Sequence, residues 1–250
     1  MDFSSIIVYV IVGFLAQMID GALGMAYGVS STTFLTTAGV PPKIASASVH
    51  TAEVFTTLVS GISHWKLKNI DWKIFIRLVI PGVIGGALGA YVLVNLPSDI
   101  ISPIVSVYLF IMGVVVLLRA FYGTAKKLLE GKKIIPVGFI GGFCDAIGGG
   151  GWGPVVTSTM LASGHPPRYI IGSVNSAEFF VTIVQTLTFT IFLNIGDYWQ
   201  VILGLAVGGV IAAPLAAMLC SKIPAKKLMI IVGILIIVLN LRSLILLFLK

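Results

Sequence analysis

Charge is scarce in this sequence. Only 10% of its 250 residues are Asp, Glu, Lys or Arg, against about 25% in a soluble domain. With 58% hydrophobic residues and a mean hydropathy of +1.08, it has too little polar surface for a water-soluble fold. Cysteine is nearly absent: Cys144 and Cys220 both sit in apolar segments, without the spacing of a disulfide framework or metal site, and read as core fillers. No Gly-x4-Gly-Lys-Ser/Thr loop is present, which argues against ATP-driven transport by this chain alone. Neither a His-Glu-x-x-His pair nor a Gly-x-Ser-x-Gly elbow occurs, and His50-Thr-Ala-Glu53 has the wrong spacing for the metal motif. The chain therefore reads as no enzyme, with no cofactor and no metal. Met1-Asp2-Phe3-Ser4-Ser5 lacks the basic start of a signal peptide and reads as the beginning of a membrane helix.

What is present is a succession of apolar runs near the ~20-residue spanning length, at about 4–20, 25–38, 44–64, 74–95, 101–121, 134–148, 152–163, 169–193, 198–219 and 226–249. No stretch is polar and long enough for a soluble domain, so residues 1–250 read as one membrane domain. The net charge of +7 does not point to nucleic acid, because the basic residues cluster in short connections. Lys66, Lys68, Lys73 and Arg77 mark one connection. Arg119, Lys126, Lys127, Lys132 and Lys133 mark the centre, and Lys222, Lys226 and Lys227 the last. These three are expected inside the cell, and the loops at Pro97-Ser98-Asp99 and Gly196-Asp197, free of Lys and Arg, outside.

Shifting the chain by 125 residues superposes it on itself without gaps. Val12-Gly13-Phe14 falls on Val137-Gly138-Phe139, Asp20 on Asp145, and Gly24 and Gly28 on Gly149 and Gly153. Gly39-x-Pro41-Pro42-Lys43 falls on Gly164-x-Pro166-Pro167-Arg168, and Ser48-Val49-x-x-Ala52-Glu53 on Ser173-Val174-x-x-Ala177-Glu178. The sequence thus predicts an all-α polytopic membrane protein with repeats 1–121 and 134–250 joined by a cytoplasmic linker, 122–133. The loop at 65–73 is inside while its equivalent at 194–197 is outside, so the repeats run in opposite directions. Inversion requires an odd number of crossings, and each repeat is expected to hold a short broken hairpin and three membrane helices, about 8–10 segments in all. Both termini are then extracytoplasmic.

These paired motifs resemble the sulfite exporter TauE/SafE family, also called the toluene-sulfonate uptake permeases, over residues 6 to 247. The resemblance implies secondary transport of a small sulfur-containing anion (sulfite, sulfoacetate or an organosulfonate) in a bacterial inner membrane. The partners implied are the small anion and the lipid bilayer; oligomeric state is left open. The first half departs from the glycine-rich version of the motif, with Asp20-Gly-Ala-Leu-Gly-Met-Ala-Tyr-Gly.

Candidate site residues follow from cost. Asp20, Glu53, Asp145 and Glu178 fall inside membrane segments, where a charge needs a cavity or a partner. They are the expected proton-coupling groups, although the aspartates equally suit capping of backbone N–H groups at a helix start. His50 and Glu53 share a helix face, so His50 is a protonatable partner, an anion donor or a packing residue. Ser48, His50 and Thr51, with Ser173, Asn175 and Ser176 opposite, supply polar contacts for a substrate. Gly24 to Gly28 and Gly148 to Gly153, among them Gly149, Gly150 and Gly151, open two helices whose N–H groups suit an oxyanion; close helix packing is the plain reading. Tyr27 and Trp152 are equivalent and either gate the cavity or pack. Lys43 and Arg168 either draw anions to the two mouths or anchor at the interface. Two rival functions remain: a cation carrier, favoured by four buried acids, and a membrane-embedded enzyme or partner subunit.

Overall fold

Proline, glycine and a capping aspartate divide the chain. The computed structural model describes residues 3–121, 129–162, 166–219 and 225–248. Its first series is α1 (Phe3–Leu23), α2 (Tyr27–Thr37), α3 (Pro42–Lys66), α4 (Trp72–Asn95) and α5 (Ser98–Arg119). The second is α6 (Ile134–Gly148), a π-helical turn over Trp152–Thr157 that leads into α7 (Ser158–Ala162), then α8 (Pro167–Phe192), α9 (Trp199–Leu219) and α10 (Ala225–Phe248). Pro42 and Pro167 open α3 and α8, where a missing N–H costs nothing. Asp71 caps α4, accepting from the N–H groups of Lys73 at 2.9 Å and Ile74 at 3.3 Å. Gly149 ends α6 with φ 65°, and Gly24 follows α1 with φ 69°, a left-handed backbone that glycine adopts without strain. Linker residues 122–128 with Lys126 and Lys127, together with Gly164, His165, Cys220 and Lys222, lie outside the described residues.

Among the described residues, four stretches are long and apolar enough to cross a bilayer: Ile6–Leu23, Trp72–Asn95, Pro167–Phe192 and Gly196–Leu219. The protein is an all-α, polytopic, multi-pass membrane protein. One helix of the expected hairpin is longer than its apolar run implies, since α1 has 21 residues whereas α2 has 11 and α6 has 15. It continues through Asp20 because that carboxylate turns forward to the backbone N–H of Tyr27 and does not compete with the helix's own ladder.

Apolar and polar faces are arranged for lipid outside and protein inside. Ile76, Ile80, Ile84 and Leu88 form an exposed stripe on α4, and Leu203, Val207, Ile211 and Leu215 form another on α9. Trp65 and Trp72 are exposed at the end of α3 and the start of α4, and Trp199 at the start of α9, positions where indole rings favour the lipid–water boundary. Buried polar residues concentrate on α3 and α8, which pack against each other at the centre. Around them α1 lies along α9, α4 along α6 and α5 along α10. Bare glycines set the crossings. A β-carbon on Gly13 would come 2.7 Å from Leu205 Cα, and one on Gly138 would come 2.8 Å from the Leu78 carbonyl oxygen. Close backbone approach replaces the hydrophobic drive that lipid cannot supply.

Candidate functional site

The two glycine-rich breaks touch each other. A β-carbon on Gly28 would meet Gly150 Cα at 2.7 Å, and one on Gly153 would meet the Met25 side chain at 2.6 Å. Two hydroxyls fasten the contact: Thr32 donates to the Gly149 carbonyl, and Thr157 donates to the Gly24 carbonyl. Each pair maps onto the other by the 125-residue shift. The tips differ in backbone. Ala26, just before α2, holds φ 94°, a left-handed conformation that costs an alanine, whereas Gly151 before the π-turn has φ −145°.

A buried polar network stands beside this contact. Asp145 Oδ1 accepts from the N–H groups of Gly151 at 2.7 Å and Trp152 at 2.9 Å. Its Oδ2 accepts from Gln185 Nε2 at 3.0 Å and lies 3.8 Å from His50 Nδ1. His50 Nδ1 is 2.7 Å from Glu53 Oε2, Nε2 is 3.2 Å from the Asp145 carbonyl oxygen, and the ring stacks on Phe189. A ring protonated on both nitrogens donates to both oxygens; a neutral ring keeps both contacts only if Glu53 carries a proton and donates it to Nδ1 while Nε2 donates to the Asp145 carbonyl. Either way His50 and Glu53 share a proton. Asp20 takes the Tyr27 N–H but, among the described residues, leaves Oδ2 buried without a partner. Glu178, also buried, is within electrostatic reach of Asp20, Glu53 and Asp145. The four acids thus gather around the tip contact.

Other expected site residues point elsewhere. Thr51 donates to Ala47 and Ser176 to Gly172, each on its own helix. Ser173 joins the loop before α4, accepting from the Asp71 N–H at 2.8 Å and donating to its carbonyl at 3.1 Å. Asn175 accepts from Ser60 at 2.9 Å and so ties α8 to α3, while the Ser48 hydroxyl is buried without a partner among the described residues. Tyr27 and Trp152 are buried and donate to the carbonyls of Leu205 and Val174 at 3.2 Å each. Lys43 donates to the Val94 carbonyl in the last turn of α4 at 2.9 Å, and Arg168 reaches the Lys68 carbonyl at 3.4 Å. Among the described residues no group of three or more His, Cys, Asp and Glu gathers to hold a metal. Sequence reasoning did not single out Thr32, Thr157, Gln185 or Gln17. The threonines were within reach, because both stand in register under the shift.

Comparison with known proteins places the chain among membrane transporters. The profile of the family described as Sulfite exporter TauE/SafE matches residues 9–243. The chain is 45% identical over 248 residues to the "Probable membrane transporter protein YtnM" of Bacillus subtilis (strain 168), covering 96% of this chain and 83% of that protein. It is 23% identical over 266 residues to the "Probable membrane transporter protein YunE" of the same organism, covering 94% and 96%. No solved structure matches.

Proposed function

Because the chain belongs to the sulfite exporter TauE/SafE family of membrane transporters, we propose that it carries a small sulfur-containing anion, such as sulfite, sulfoacetate or an organosulfonate, across the cytoplasmic membrane as a proton-coupled secondary transporter. The observation that carries this reading is the meeting of two glycine-interrupted breaks at a buried acid cluster. Discontinuous helices that face each other are where carriers hold their cargo. The first turns of α2 and of the π-helical segment direct backbone N–H groups toward the breaks; Asp20 and Asp145 take those of Tyr27, Gly151 and Trp152, so an oxyanion draws on the next N–H groups along each turn or displaces a carboxylate.

The carrier is built of two inverted repeats, with the basic connections in the cytoplasm and both termini outside. The exchange of helix partners between the two series supports the paired repeats, since the 125-residue shift turns the α1–α9 pair into the α6–α4 pair, and the placement of the basic connections supports the sidedness. With its tips in contact the molecule is closed at the cargo site, and parting of the tips toward one face and then the other admits and releases the anion. Protons on the buried acids offset the charge the anion brings.

The test is flux of radiolabelled sulfite and sulfonates into proteoliposomes, with and without an imposed pH gradient. Saturable flux that follows the gradient is expected. Flux of sodium or calcium without any anion dependence would replace this reading with a cation carrier.

A further inference from the structure

The two equivalent aspartates are treated differently. Each Asp145 oxygen has a hydrogen-bond donor. Asp20 has one backbone donor, and its Oδ2 has none among the described residues. One turn earlier on α1, Gln17 is fully buried, and among the described residues neither its amide nitrogen nor its amide oxygen has a partner. Three positions apart, Gln17 and Asp20 share a helix face. Gln17 Nε2 lies 3.3 Å from where a β-carbon on Gly21 would sit, so the amide is turned toward the end of α1 that bears Asp20. In the second half the place of Gln17 is taken by Gly142, and the amide nitrogen that serves Asp145 comes from Gln185 on α8, which also bonds the Gly142 carbonyl, while its Oε1 has no partner among the described residues.

Orphaned buried polar atoms destabilise a protein, an ionised one most of all. No hydrogen bond joins the two side chains as they stand; a side-chain rotation that brings them together lets one proton serve both residues. On Oδ2 it forms a hydroxyl that donates to Gln17 Oε1. When it leaves, the bare oxygen accepts from Gln17 Nε2 after the amide turns about its last torsion. A side-chain amide is the neutral group that satisfies both forms of a carboxyl.

We infer that Asp20 and Gln17 form the proton-exchange site of this protein, with Asp20 binding the proton, Gln17 positioning the carboxyl in both states, and Asp145 acting as the fixed, structural counterpart. The proton comes from water on one side and returns to water on the other. Titratable groups that face the site are Tyr27 from α2, His50, Glu53 and His64 from α3, Asp145 from α6 and Glu178 from α8. No titratable side chain comes from α9, although it packs along α1. Glu53 and Asp145 are held by His50, and His64 is engaged by the Gly21 carbonyl and Asn69. A metal ion fits less well, since among the described residues the acids and histidines form no metal-binding group.

This inference rests on the carrier reading only for its flux readout. The first test is therefore made without cargo, by infrared pH-difference spectroscopy of the full chain in liposomes. Asp20→Asn is expected to remove a titrating protonated-carboxyl band, and Gln17→Met to shift that band and move its pH midpoint by about one unit, the size of one hydrogen bond to a charged group. An Asp20→Asn spectrum that keeps every wild-type carboxyl band overturns the site. So does a Gln17→Met spectrum identical to wild type, which decides the matter even if Asp20→Asn fails to fold. In vesicles, an imposed pH gradient should no longer change sulfite flux by Asp20→Asn; a wild-type response overturns the inference. If wild type moves no sulfite or sulfonate, the carrier reading fails while the infrared result still decides the proton site.

Discussion

Thr32 on α2 donates its hydroxyl to the carbonyl of Gly149, the residue that ends α6. The shifted pair, Thr157 and Gly24, repeats the bond from the other side. A hydroxyl that bonds the left-handed residue of the opposite break leaves that carbonyl satisfied only while the tips touch. Thr32→Val and Thr157→Val should each weaken the contact by about 1 kcal/mol. Hydrogen–deuterium exchange over residues 24–28 and 149–153 should then quicken in both variants. Exchange that stays at the wild-type rate would contradict the fastening role.

Asp145 bridges three donors, two from the backbone at the start of the π-turn and one from Gln185. Asp145→Asn places an amide nitrogen among these donors. A loss of about 2–3 kcal/mol is expected, read as a lower melting temperature in detergent. A melting temperature within error of wild type would show that the bridge does not hold the second tip.

Two glycines separate packing from backbone conformation. Gly138 faces the Leu78 carbonyl across the α4–α6 crossing, whereas Gly39, at φ 92°, has open space around it. Gly138→Val should cost at least about 3 kcal/mol, since neither backbone can retreat. Gly39→Ala should cost about 1 kcal/mol through its left-handed backbone alone. Folded yield and thermal melting of the pair would check the order, and equal losses would refute it.

Ala26 is a non-glycine residue in the left-handed region at the first tip. Ala26→Gly should stabilise the folded protein by about 1 kcal/mol. Its effect on transport is a separate readout, because the same change loosens the entry to α2. A drop in melting temperature would show that the alanine methyl matters more than the strain.

Orientation is checked with tags. With basic connections inside the cell, an epitope at either terminus should be reached by a membrane-impermeant label in intact cells. Labelling of both only after permeabilisation would overturn this orientation, and labelling of just one in intact cells would overturn the inverted arrangement.

Much of this fold was legible because the chain repeats its punctuation. The Pro-Pro turns at residues 41–42 and 166–167 and the glycine breaks fall at the helix boundaries observed. Four scarce acids in apolar runs marked the centre, and the structure brings them within electrostatic reach of one another. What stayed hidden depends on contacts between distant segments. Nothing local tells that Ser173 faces Asp71 while its equivalent Ser48 has no partner among the described residues, or that Thr32 meets Gly149. Gln17 escaped notice because its counterpart is glycine, so the repeat gave it no echo. The reach of α1 past its apolar run was set by the direction of one carboxylate, which composition does not encode.

The pairing of α1 with α9 carries a consequence for biosynthesis. Leu23 ends α1 and Trp199 begins α9, so the first helix leaves the ribosome long before its partner is made. At ordinary synthesis rates the wait is roughly 10–35 s. During that interval the Gly13 face of α1 meets lipid or an insertion factor instead of α9. A chain cut short before α9 leaves this helix without its mate, and a nascent chain stalled there is the form most exposed to quality-control proteolysis.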